Sequence, residues 1–208
     1  MMDLHSGLID VGLQKPVFKA RPIVSIFHAF IFFGFSFYLL VNVNDLLEAY
    51  VEGWTTIGSS NPVALGFNLF SDLFSIFVLV GIIYFLIRRF IGYPKVFEFN
   101  SNVKLQPEVE SGGIRKDSLI VGIFIIFHVG ARWVGTAFHL AERETTEWSM
   151  PTASLVAPFF FGWDGIETGI HVTWWLAMGL IVLFLPYFPR SKHTVSYTHL
   201  TLPTILLV

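Results

Sequence analysis

The stretch "IIFHVGARWVGTAFHL", residues 125–140, reads as lipid-facing helix, yet it carries His128, Arg132 and His139. Polar groups at membrane depth are costly and usually have a role. Working outward, the chain contains four apolar runs, Ile23–Val43, Phe67–Phe90, Leu119–Leu140 and Ile170–Phe188. Each is long enough to cross a hydrocarbon core of roughly 30 Å. Their continuity predicts helices, because a barrel strand would alternate. The composition agrees: 54% of the 208 residues are hydrophobic and 13% charged, with a mean hydropathy of +0.66. A soluble domain of this size needs more surface charge. The expected fold is an all-α integral membrane bundle of four transmembrane helices.

The charges orient the bundle. Lys15, Lys19 and Arg21 precede the first run, Arg88, Arg89, Lys95, Lys104, Arg115 and Lys116 separate the second and third, and Arg190 and Lys192 follow the fourth. Only Arg132 and Arg143 fall elsewhere. The opposite side carries Asp45, Glu48, Glu52, Glu142, Glu144, Glu147 and Asp164. The positive-inside rule then places both termini in the cytoplasm. Residues 1–22 form a cytoplasmic segment, and the first run is no signal peptide, being too long and lacking a small-residue cleavage site. The "PTASLVAPFFFGWDG" stretch of the outer loop is too short to span and is aromatic, as an interfacial segment is. No nucleic-acid partner is expected. The absence of cysteine excludes disulfides and thiolate-held iron–sulfur clusters within this stretch.

The last residues stand apart. "VSYTHLTLPT", Val195–Thr204, matches a translated adapter of transposase-based sequencing libraries, so residues 195–208 are expected to be a non-native tail and His199 no part of any site.

With His5 and His199 set aside, five histidines are left, of which His193, beside Arg190 and Lys192, suits a solvated interface. His128 and His139 lie eleven residues apart, about 20° around a helix and roughly 16 Å along it. They share a face at two depths, as two stacked haems require. His28 matches the inner level and His171 the outer one, giving the expected pairs His28 with His128 and His139 with His171. Imidazoles from two helices suit low-spin haem b, and Arg132, one turn from His128, suits a haem propionate. A single ion is a poorer fit, since the histidines spread across the membrane.

The segments "QKPVFKARPIVSIFHAFIFFGF", "YFLIRRF", "GGIRKDSLIVGIFIIFHVG" and "HVTWWLAMGLIVLFLPYFPRSKH" resemble the membrane domain of bacterial iron–sulfur oxidoreductases related to heterodisulfide reductase. That domain is similar in turn to the gamma subunit of respiratory nitrate reductase, a b-type cytochrome that oxidises quinol. The resemblance covers roughly residues 14–193 and implies His28 as a haem ligand. It implies a partner histidine at the position of Val195, and a second pair at the positions of Tyr38 and Ala177, neither of which is a haem ligand of this kind. It also implies a cysteine-rich cytoplasmic portion, with its iron–sulfur clusters, beyond the membrane domain.

The sequence therefore predicts a haem b membrane domain over residues 23–193 in the cytoplasmic membrane of a bacterium or archaeon. Such a domain passes electrons between quinone and a cytoplasmic iron–sulfur domain or subunit. Asp164, Glu167 and the "PFFFGW" aromatics are candidates for the quinone site. Two rivals are a proton- or metal-handling membrane protein and a structural anchor without haem.

Overall fold

The computed structural model describes residue 18 and residues 21–92 and 112–187. Four helices in it are long and apolar enough to cross a membrane: α1 (Pro22–Tyr50), α2 (Pro62–Phe90), α3 (Gly113–Glu142) and α5 (Ile166–Phe184). Between α3 and α5 lies the short helix α4 (Pro151–Val156), continued by a 3₁₀ turn at Ala157–Phe160. The fold is all-α, as expected.

Local signals explain the helix starts. Proline opens α1, α2 and α4, where its missing N–H would have no intrahelical partner anyway. Asn61 caps α2, its side chain accepting from the Val63 amide at 2.9 Å. α1 and α3 extend past their apolar runs into polar residues. Asp45 and Glu48, expected in a loop, belong to α1, and Asp45 is buried. The last helix begins four residues before the expected Ile170 and ends at Phe184, short of the expected Phe188, with residues 185–187 in a turn. The basic residues from Lys95 to Lys104, His193 and the 195–208 tail lie outside the described residues.

α1 packs on α2, α2 on α3, and α3 most extensively on α5. Glycines allow the close approaches that favour helix association in lipid. A Cβ on Gly81 would stand 2.9 Å from Ile31 of α1 and 3.1 Å from the Phe27 carbonyl. One on Gly135 would stand 2.8 Å from Thr173 Oγ1 of α5. Gly81→Leu is therefore expected to force α1 and α2 apart, at a cost of about 1–3 kcal/mol by overpacking. A lowered thermal midpoint in detergent checks this, with Gly66→Leu, where no atom crowds the Cβ position, as the silent control.

Buried polar side chains gather mostly at one end of the bundle. Toward the end where α1 begins and α5 stops, Val78, Ile82, Val121 and Ile125 form an apolar core, topped by Val41 and Val129. At that end Arg115 lies over the Phe90 ring, and the Tyr187 hydroxyl donates to Asp117, tying α5 to α3. Burial and this bond push the Tyr187 phenol up to about 12, so the tie keeps its proton at neutral pH. Toward the other end, assigned to the outside by charge, the buried side chains include the polar Asn44, Asp45, Asn68, Ser71, Asp72, Ser75 and His128, beside an apolar cluster of Ala137, Leu140, Ala141, Met150, Ala153 and Ala157.

Candidate functional site

The outer half of the bundle is organised around Arg132. Its guanidinium donates from Nε and Nη2 to the two carboxylate oxygens of Asp45, at 2.9 and 3.0 Å, and from Nη1 to Ser71 Oγ at 3.0 Å. This two-pronged fit is the strong form of the arginine–carboxylate pair. It lies 17% and 11% exposed on its two sides, at a depth where an unpaired charge is not tolerated. The expected partner of Arg132 was a haem propionate; the partner found is a carboxylate of α1. Ser71 also belongs to a hydroxyl chain, since Ser75 Oγ donates to the Ser71 carbonyl at 2.6 Å and shares a 2.6 Å bond with the Tyr38 hydroxyl.

His128 is 4% exposed. Its Nδ1 lies 2.9 Å from the Ala177 carbonyl of α5, Phe124 stacks on it at 5.7 Å, and Tyr38 meets it edge-on at 6.0 Å. A macrocycle cannot stand against a ring packed this way without moving those neighbours. Tyr38 and Ala177 are the positions at which the resemblance would put a second haem pair. Here they flank the His128 imidazole, which fills the space between them. The α1 residue facing His128 is thus Tyr38, and His28 lies ten residues earlier, roughly 15 Å along the helix. His28 is exposed, on a different face of α1 from Tyr38. The structure does not bring His28 and His128 to one level, as the first expected pair requires.

The second expected pair fares differently. His139 and His171 border the same open cleft, between the outer ends of α1, α3 and α5. Trp54 and Trp174 supply aromatic walls, and Glu48 and Arg143 supply charge. His139 Nδ1 lies 3.9 Å from Glu142, and Arg143 donates to the Ile57 carbonyl at 3.0 Å. Two imidazoles, two indoles and a guanidinium are a donor set that fits haem b: ligands for iron, walls for the macrocycle, a cation for a propionate. Asp164 and Glu167 are exposed beside Trp163 on a wide recess, more open to solvent than the cleft at His139. Among the described residues, no group of three or more His, Asp or Glu is arranged to hold a metal ion.

One functional-looking residue escaped the sequence reading. Asp72 of α2, 4% exposed, accepts from the Thr152 amide at 2.6 Å, Thr152 Oγ1 at 2.8 Å and the Ala153 amide at 3.1 Å. Met150, which precedes α4, gives no side-chain cap. Asp72 therefore caps α4 from another helix, satisfying first-turn N–H groups and placing negative charge at the positive end of the helix. Trp133 Nε1 adds a 2.8 Å bond to Thr152 Oγ1. Asn68, Ser71, Asp72 and Ser75 fall at i, i+3, i+4 and i+7, a polar helical stripe that was open to detection.

Comparison with known proteins gives one informative relation. The chain is 25% identical over 193 residues to a probable iron–sulfur-binding oxidoreductase, FadF, of Bacillus subtilis (strain 168). It is a distant relative of that oxidoreductase. The match takes in 91% of this chain but 25% of the relative, so the chain spans about a quarter of the relative's length. No protein-family model and no solved structure matches. The chain is thus a membrane-embedded part related to an iron–sulfur oxidoreductase, and it has no cysteine with which to bind a cluster itself.

Proposed function

We propose that this chain is the membrane arm of a quinone-linked oxidoreductase, passing electrons between the quinone pool and a cytoplasmic iron–sulfur domain. The observation that carries the reading is the outer cleft shared by His139 and His171, on a chain related to an iron–sulfur-binding oxidoreductase. His139 and His171 would hold one haem b there, with Arg143, in place of Arg132, available to a propionate. His28 would ligate a second haem b near the inner end, its partner being the histidine that the resemblance calls for at the position where this sequence has Val195. Haem supplies one-electron chemistry at a potential set by its axial ligands and burial. The chain's own contribution is to fix imidazoles at two levels and to bury charge between them. His128 acts as a packing and hydrogen-bonding residue joining α3 to α5. The His139 cleft, walled by Trp54 and Trp174, and the more open recess at Asp164 and Glu167 are the two entrances a quinone would have on this side.

A structural anchor without haem is the second reading. It draws on Arg132 and His128, both satisfied by protein partners.

The quinone link has its own test. Reduced menaquinone or ubiquinone analogue added to oxidised, air-free membranes containing the chain is expected to reduce a b-type haem band within seconds. A band that dithionite reduces and neither quinol does would remove the quinone from the account while leaving the haem.

A further inference from the structure

We propose that the polar groups around the Arg132–Asp45 pair form a hydrated half-channel, bringing water and protons from the outer end of the bundle to its middle. The inference uses neither a haem nor a titrating histidine, but it shares the outer cleft with the haem reading, so a haem seated there would narrow the route's mouth without removing the polar path behind it.

Two recesses flank the ion pair. One, between α1, α2 and α3, leaves about 20 Å³ open to water centres beside Ser71, Ser75 and Arg132. The other, between α1, α3 and α5, leaves about 60 Å³ beside Asp45, Thr136 and Thr173. A water needs roughly 10–15 Å³ by this measure together with two or more polar partners. The first recess therefore holds a single molecule and the second a few. Glu48, Arg132 and Thr136 border both recesses, so the two meet around these side chains. Glu48 and His139 also border the wide outer cleft, which gives the route its mouth.

The inner limit is equally clear. Beyond Ser75 and Tyr38 the interior is closed by Val78, 0% exposed, with Ile82, Val121 and Ile125 packed behind it. Next to Asp45 in α1, Asn44 accepts from Trp54 Nε1 at 3.1 Å, and its buried Nδ2 finds no acceptor among the described residues. A buried amide nitrogen in that state calls for water. The hydroxyls of Ser71, Ser75 and Tyr38 extend the polar path by a further turn of helix. The arrangement is polar and roomy from one side and dry from the other.

The chain has no cysteine, so one introduced thiol is unique. Ser71→Cys, Thr136→Cys and Val78→Cys would each be made in the whole chain, expressed in membranes. Right-side-out vesicles in chloride-free buffer would receive silver ion, which is small enough to follow water and binds thiolate. The protein is then denatured and the remaining thiol labelled with a fluorescent maleimide. Silver is expected to lower labelling at least tenfold for Ser71→Cys and Thr136→Cys, and less than twofold for Val78→Cys. Protection should develop at least tenfold more slowly in inverted vesicles. Full labelling at both Ser71→Cys and Thr136→Cys would overturn the proposal. Equal protection of Val78→Cys, or faster protection from the inner side, would overturn its closed inner end. Using two polar positions on different helices keeps the test decisive if one variant fails to reach the membrane.

Discussion

Asp45→Ala is expected to destabilise the bundle by about 3–5 kcal/mol, because it leaves the Arg132 guanidinium buried without its counter-charge. Arg132 is bound to both oxygens of Asp45, and its remaining bond, to Ser71, carries no charge. Arg132→Ala should cost as much, since it strands the carboxylate instead. Replacing both, as Asp45→Ala with Arg132→Met, should recover at least half the loss, because a neutral pair has no charge to desolvate. Thermal midpoints in detergent and protein levels in membranes would read the three variants. A double variant as unstable as either single one would mean that shape, and not charge, holds this junction.

Asp72→Ala is expected to have the next largest effect, about 3 kcal/mol, by removing three hydrogen bonds to a charged acceptor. The loss should be local. The α4 helix has six residues and does not stand alone, so its Thr152 and Ala153 amides would turn to solvent. Hydrogen exchange over residues 151–160 should accelerate at least tenfold while exchange in α2 changes little. Asp72→Asn, which keeps an acceptor oxygen but loses the charge, should fall between. Unchanged exchange in α4 would show that Trp133 and the apolar contacts of Ala153 and Ala157 suffice to hold it.

The fold was legible because its signal is long. Four apolar runs need no tertiary information, and the proline at the first residue of α1 is a local start signal of the same kind. The site was legible in part. His128 is buried in the bundle interior while His139, its side chain 41% exposed, borders the open cleft, and periodicity carries no account of what stands opposite either. Opposite His128 stand Tyr38 and the Ala177 carbonyl; opposite Arg132 stands Asp45, which its apolar-run boundary had assigned to a loop. That boundary failed because a carboxylate with a buried arginine to meet can stay in the helix. Asp72 was missed for a related reason. It sits inside a strongly apolar run, and attention to histidine passed over a polar stripe with the same helical spacing.

The central claim is that histidines of this bundle hold haem, with His139 and His171 as the outer pair. The most direct measurement is a dithionite-reduced minus oxidised visible spectrum of membranes containing the chain, alongside His139→Ala, His171→Ala and His128→Ala variants. The account predicts a b-type α band that falls by about half or more in His139→Ala and in His171→Ala and persists in His128→Ala. A chain with no band, even after a histidine is restored at position 195, would contradict it.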